Sequence, residues 1–309
     1  MKLVVFAYHD IGFECLDFLI QVKEEIVAVV THEDDPNEEI WFRSVADLGR
    51  RHGLPVYTPK NPNTPDFIER IRKADPEIIF SFYYRQLLSN ELLAIPRRGA
   101  MNLHGSLLPR YRGRAPVNWA LVNGETETGV TLHHMVEKAD AGDIVAQRRV
   151  AIGQLDTALT LYRKLTRAAR ELMEEIYTAI QAGDAPRIPQ DARFATKFGA
   201  RHPEDGKIDW NKPAAVIYNL VRAVTHPYPG AFTFARERKL FVWWAVADGA
   251  ESRGEAPGTI LSIEEGTGVR VAAGAGRLLL KRLQLEGEEE LSADLFAGRW
   301  EFRIGERLG

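Results

Sequence analysis

The chain is poor in cysteine, in net charge and in long apolar runs, and each shortage closes off a class of protein. A single cysteine, Cys15, among 309 residues cannot build an intramolecular disulfide framework and fits a reducing compartment. Its neighbours Leu16, Phe18 and Leu19 favour packing over catalysis, since free cysteine is among the most buried residue types. The 40 basic and 43 acidic residues leave a formal charge of −3, so no global field draws the chain to nucleic acid or to a membrane surface. The apolar opening ends at His9-Asp10, too early for a secretory signal core or a membrane span. The chain therefore reads as cytoplasmic. After that first apolar run the sequence is Tyr8-His-Asp-Ile-Gly12, with neither GxGxxG nor a Walker loop, which argues against NAD or ATP chemistry.

What is present is an alternation of apolar runs and amphipathic stretches. Leu3–Tyr8 and Ile26–Thr31 read as buried strands around a helix carrying Cys15, Leu16, Leu19 and Ile20 at helical spacing, a βαβ unit. A helix over Trp41–His52, a strand near Val56-Tyr57, a helix around Phe67–Ile71 and a strand over Glu77–Tyr83 extend the pattern. These elements predict an α/β, Rossmann-like, mainly parallel sheet with helices on both faces. Gly129–Val136 and Asp143–Val150 read as paired strands, and a long helix over Thr157–Ala182 closes the first domain. Gly183–Asp191 and Phe198–Gly206, rich in Gly, Pro and charge, read as linker. A helix at Ala214–Val224 and several short strands up to Leu285 then suggest a small OB-like β-barrel. The expected domains are 1–203 and 204–309. Glu286-Gly-Glu-Glu-Glu290 reads as a solvated acidic loop, and His226-Pro-Tyr-Pro-Gly230 as a rigid turn.

The stretch from Asn102 to Asp140 stands apart. Asn102 and His104 lie two apart on a strand, so they project from one face. A carboxamide can stabilise an oxyanion developing on a carbonyl, and an imidazole can move a proton near neutral pH. Asp140, if the fold brings it near, would orient the imidazole and favour its charged form. This amide, imidazole and carboxylate lack a Ser or Cys nucleophile, so the substrate supplies it; acyl transfer to an amine fits. Each residue also has a plainer reading. His104 alone could be a satisfied structural histidine, Asp140 a turn residue, and Arg110, Arg112 and Arg114 an exposed loop instead of an anion site. His133 and His134, adjacent on a strand, point to opposite faces and make poor joint metal ligands.

Asn102-Leu-His-Gly-Ser-Leu-Leu-Pro109, Arg112-Gly113 and Asp140-Ala-Gly142 together resemble the formyltransferases that use 10-formyltetrahydrofolate. Phe6-Ala-Tyr-His-Asp10, Phe80-Ser-Phe-Tyr-Tyr-Arg85, Arg112-Gly-Arg-Ala-Pro116 and Val122–His133 resemble most closely the branch that formylates UDP-4-amino-4-deoxy-L-arabinose in lipid A modification and polymyxin resistance. The resemblance runs from Met1 to about Phe232 and thins after Trp244. It implies catalysis by Asn102, His104 and Asp140, and a donor pocket formed by Gln86, Leu87, Leu88, Arg114, Val136, Glu137, Lys138, Ala139 and Asp140. It also implies 10-formyltetrahydrofolate as co-substrate, no metal, a nucleotide-linked amino sugar as acceptor, and a decarboxylase partner, fused or separate. Two other readings compete. A methionyl-tRNA formyltransferase would share the core, but the acidic stretch Glu33–Glu39 would repel phosphates. A metal-dependent module using His104, His133 and Asp140 has no Cys/His spacing to recommend it.

Overall fold

The computed structural model describes residues 1–34, 40–249 and 254–309; the acidic segment 35–39 lies outside them. The elements follow in chain order. They are β1 (Lys2–Ala7), α1 (His9–Gln21), β2 (Glu25–Val30), α2 (Val45–Arg51), β3 (Val56–Tyr57), α3 (Pro65–Ala74), β4 (Ile78–Phe82), α4 (Asn90–Leu93) and β5 (Ala100–His104). Next come β6 (Arg112–Gly113), α5 (Pro116–Val122), β7 (Glu127–His134), β8 (Ile144–Ala151), α6 (Ala158–Ala182) and β9 (Lys197–Phe198). The last part holds α7 (Ala214–Val224), β10 (Ala231–Ala235), β11 (Arg238–Ala247), β12 (Ile260–Glu264), β13 (Gly268–Ala272), β14 (Arg277–Leu285), β15 (Leu291–Ser292) and α8 (Ala293–Arg299). Two compact units emerge. The first comprises residues 1–116, 127–152 and 162–199; the second comprises 117–126, 153–161 and 200–309.

The first unit is built on a seven-stranded sheet of order β3-β2-β1-β4-β5-β7-β8. The pairs among β3, β2, β1, β4 and β5 are parallel, whereas β5–β7 and β7–β8 are antiparallel. Strands sandwiched between helices are apolar on both faces, and β1 obeys this from Leu3 to Ala7, all fully buried. In α1 the buried positions Ile11, Cys15, Phe18 and Leu19 recur at helical spacing. Burial pushes the Cys15 thiol above its ordinary range, in keeping with packing. The chain leaves β1 for β2 on one side and returns as β4 on the other. The carboxyl ends of β1 and β4 thus flank the topological switch point, where open α/β sheets leave a crevice.

Two local readings of the sequence require correction. The helix expected from Trp41 begins at Val45, because the Ser44 hydroxyl accepts the Asp47 N–H at 3.1 Å and caps it there; Trp41 and Phe42 pack instead around His9. The stretch read as linker after Gly183 belongs largely to the first unit. Ile188 bridges to Ile144, and β9 pairs in parallel with β6.

The second unit holds an antiparallel sheet of order β10-β11-β14-β13-β12, with β15 paired to β14. Its core is the inward row Leu240, Val242, Val269, Val271, Leu278, Leu280 and Leu283, all fully buried. Helix α8, whose Phe296 is also fully buried, has no counterpart in the sequence reading. The acidic loop is paired with bases as well as solvated: Glu290 meets Arg282 at 2.7 Å and His226 at 2.9 Å, and Glu288 meets Arg238 at 3.2 Å. His226 itself stacks on Trp243 at 3.7 Å. No described helix is long and apolar enough to cross a membrane.

Candidate active site

Asn102 and His104 do share a face of β5, and the antiparallel register sets β7 beside them with Asn102 opposite His133 and His104 opposite Thr131. Cross-strand partners stand on the same face. The connection from β7 to β8 then folds back and delivers Asp140. Its Oδ1 lies 3.6 Å from His104 Nδ1 and 3.7 Å from His133 Nε2, while Oδ2 accepts the Gly113 N–H at 2.8 Å. Asn102 Nδ2 is 3.1 Å from His133 Nε2. Four polar side chains therefore converge: the three expected as a catalytic set, and His133, which the sequence reading considered only as a metal ligand.

The surroundings hold each group in place. His104 Nε2 donates to the Tyr111 carbonyl at 2.7 Å, so the imidazolium form, with a proton on each nitrogen, faces an acceptor on both sides. Thr131 Oγ1 donates to the Ser106 carbonyl at 2.6 Å and accepts from the Leu108 N–H and Gln147 Nε2 at 3.1 and 2.9 Å. These bonds tie the loop after β5 to β7 and β8. Gln190 is a second residue missed from the sequence, since it falls in the stretch read as linker. Its oxygen accepts two Arg112 N–H groups at 2.6 and 3.2 Å, and its Nε2 donates to the carbonyls of Asp140 and Gly142 at 3.0 and 2.7 Å. Arg112 is thus buried structural support, not an exposed anion site. A Cβ on Gly142 would collide with the His134 carbonyl oxygen, so the connection carrying Asp140 requires glycine there.

Burial alone would raise the Asp140 pKa, but chiefly the His104 charge, with the Gly113 N–H, outweighs it and holds the carboxyl well below the usual carboxylate range. Asp140 is thus a carboxylate at any physiological pH. Its φ of 56° is left-handed, as are those of His9 (60°), Tyr83 (58°), Tyr111 (59°) and Ala115 (51°). Such conformations cost a non-glycine residue of order 1–3 kcal/mol and gather at functional sites.

Of the residues expected to form a donor pocket, Gln86, Leu87 and Leu88 follow β4, Arg114 follows β6, and Val136–Ala139 lie on the β7–β8 connection that carries Asp140; their exposure differs. Leu87 is 72% and Val136 47% exposed, unusual for large apolar side chains. Glu137, Lys138, Ala139 and Arg114 are exposed as well. Leu88 differs: its side chain packs in the core beside Phe67, Ile68 and Leu92, which leaves a ligand only its backbone. Gln86 is half-buried, and its Nε2 donates to the Lys60 carbonyl at 2.9 Å. Although His104, His133 and Asp140 approach one another, no group of three metal-ligating side chains among the described residues has the geometry to hold an ion.

At the switch point itself stands an aromatic cluster. The His9 ring packs on Phe42 at 3.7 Å and edge-on to Trp41 and Tyr162 at 5.3 and 5.9 Å, with Nε2 3.4 Å from an Arg85 nitrogen. Burial, then the charges of Arg85 and His32, lower its pKa to about 3. The unfolded chain protonates a histidine near pH 6.5, whereas folded His9 stays neutral. Stability should therefore decline as pH falls from about 6.5 toward 3, by about 1–2 kcal/mol between pH 7 and pH 5. Urea midpoints at the two pH values, with and without His9→Phe, check this; an equal acid loss in the variant would exclude His9 as its source.

The formyl transferase profile matches residues 1–176, and the formyl transferase C-terminal domain profile matches residues 201–299. The chain belongs to the formyl transferase family. Among solved structures it resembles the sugar 3N-formyltransferase WlaRD, solved with dTDP and 5-N-formyl-THF (18% identity, TM-score 0.70, covering 94% of this chain and 99% of that one). It is similar also to an N-formyltransferase from Helicobacter canadensis in complex with folinic acid and dTDP-3-aminofucose (19% identity, TM-score 0.68, 91% and 98%). A third is HypX from Aquifex aeolicus with tetrahydrofolic acid (18% identity, TM-score 0.65). There 99% of this chain aligns but spans only 48% of the other protein.

Proposed function

We propose that the protein transfers the formyl group of 10-formyltetrahydrofolate to the amine of a nucleotide-linked amino sugar, with UDP-4-amino-4-deoxy-L-arabinose the leading candidate. The observation that carries this reading is the convergence of Asn102, His104 and Asp140 at the carboxyl edge of the sheet. The sugar amine attacks the formyl carbon, and the carbonyl oxygen becomes an oxyanion that accepts a hydrogen bond from the Asn102 amide. The ammonium proton passes to His104, beside which the Asp140 carboxylate stands at 3.6 Å. Collapse of the intermediate then breaks the carbon–N10 bond as His104 returns that proton to N10, which leaves as tetrahydrofolate and restores the neutral imidazole. Gln86, Leu87, the Leu88 backbone, Arg114 and residues 136–140 contact the donor. Residues 1–203 form the catalytic domain in this reading, and 204–309 the accessory one.

The choice of a UDP sugar rests on the sequence resemblance at Phe6–Asp10, Phe80–Arg85 and Val122–His133. A cytoplasmic setting suits both substrates. The test is a panel of amino-sugar nucleotides, including UDP-4-amino-4-deoxy-L-arabinose and dTDP-3-aminofucose, with charged initiator tRNA as a further arm. Each is mixed with 10-formyltetrahydrofolate while tetrahydrofolate release is followed. The UDP sugar should turn over fastest. Faster release with a dTDP sugar would replace the acceptor, and release with tRNA alone would overturn the proposal.

A further inference from the structure

Asn102 has one side-chain partner among the described residues, the ring of His133. That ring is only 1% exposed, so what its two nitrogens do is set by the protein. Nδ1 lies 2.8 Å from the carbonyl oxygen of His134. A carbonyl only accepts, so Nδ1 carries the proton, and Nε2 of the neutral ring is a lone pair. That lone pair lies 3.1 Å from Asn102 Nδ2, within hydrogen-bond reach, and 3.7 Å from Asp140 Oδ1, outside it. The amide nitrogen therefore donates one hydrogen to His133 and keeps the second for a ligand. Turning the carboxamide over would set its oxygen against the Nε2 lone pair at the same distance, an arrangement that loses a buried hydrogen bond and adds repulsion.

We infer that His133 is the positioning residue that fixes which way round the Asn102 carboxamide stands, so that an amide hydrogen and not the oxygen meets the developing oxyanion. This rests on the formyl-transfer reading of the site. His133 touches no reacting atom; it acts through Asn102, with its own tautomer set by the backbone of the next residue. An imidazole offering a lone pair from a strand partner is stiffer than water in the same role, which is what preorganisation of an oxyanion donor requires.

The tests compare His133→Leu, which cannot accept a hydrogen bond, with His133→Gln, whose amide oxygen can. His133→Leu should lower kcat roughly ten- to hundredfold, part of the loss expected for removing the donor outright, with KM for both substrates within about twofold. His133→Gln should recover to within about fivefold of wild type. Asn102→Ala/His133→Leu should be no slower than Asn102→Ala alone, since the two act as one unit. Histidine 15N shifts of the resting protein should show His133 as the Nδ1–H tautomer. Wild-type kcat in His133→Leu, a His133→Gln variant as slow as the leucine one, additive losses in the double variant, or an Nε2–H or doubly protonated ring would each overturn the inference. If the wild-type protein released no tetrahydrofolate with any acceptor, the functional reading would fall, and the 15N shifts would still decide the hydrogen bond.

Discussion

Replacing Asn102 by alanine should slow formyl transfer by about 3 kcal/mol, a factor of roughly 10²–10³, with binding of the formyl donor little changed. The magnitude is that of removing a single preorganised oxyanion donor. The amide is held by one buried ring and has no bulk to lose beyond a few atoms, so truncation deletes a hydrogen bond without emptying a core. The loss should appear in kcat, because the bond strengthens as the carbonyl oxygen gains charge. Single-turnover rates with donor bound measure it; a rate within threefold of wild type, or a loss confined to KM, would take Asn102 out of the mechanism.

Asp140→Asn should cost about a hundredfold in kcat across neutral pH, the scale of a general acid–base contribution. Asp140 is close to His104 and His133 alike, at 3.6 and 3.7 Å, and also accepts the Gly113 N–H. An asparagine there keeps the shape but removes the negative charge beside the His104 ring. Combining it with His104→Ala should add little to the loss from His104→Ala alone. The carboxylate also stabilises the fold. Its depressed pKa means this contribution is complete above the unfolded value near 4 and fades as pH falls toward the lower native value, so the variant should be less stable at pH 7 and converge on wild type in strong acid. A pH–rate profile between 6 and 9 together with urea midpoints separates the two effects; full activity throughout that range would contradict the pairing.

The parts of this site that depend on short-range sequence were legible before the fold was known. Two residues apart on a strand means one face, so Asn102 and His104 could be placed together from periodicity. The alternation of apolar runs and amphipathic helices was equally readable, and α7 was expected over the same residues it occupies, Ala214–Val224. Long-range pairing was not readable. His133 faces Asn102 only because β7 runs antiparallel to β5 in one register, and a slip of one residue would have presented His134 instead. Beside a second histidine, His133 invited a question about metals and hid its role as a hydrogen-bond acceptor. Gln190 was lost for another reason: a segment rich in Gly, Pro and charge looks like a connector, yet Ile188 and Gln190 dock against the β7–β8 connection. The start of α2 turned on the Ser44 cap, which a periodicity of apolar residues does not register.

The central claim concerns the place of the one-carbon unit, and an experimental structure of the protein with 10-formyltetrahydrofolate bound in the absence of acceptor tests it most directly. The account predicts that the formyl group enters the crevice beside β5 with its oxygen about 3 Å from Asn102 Nδ2, its carbon within reach of His104, and its heterocycle against residues 86–88 and 136–140. A bound donor whose formyl group lies in another part of the molecule, more than about 8 Å from all three side chains, would contradict it.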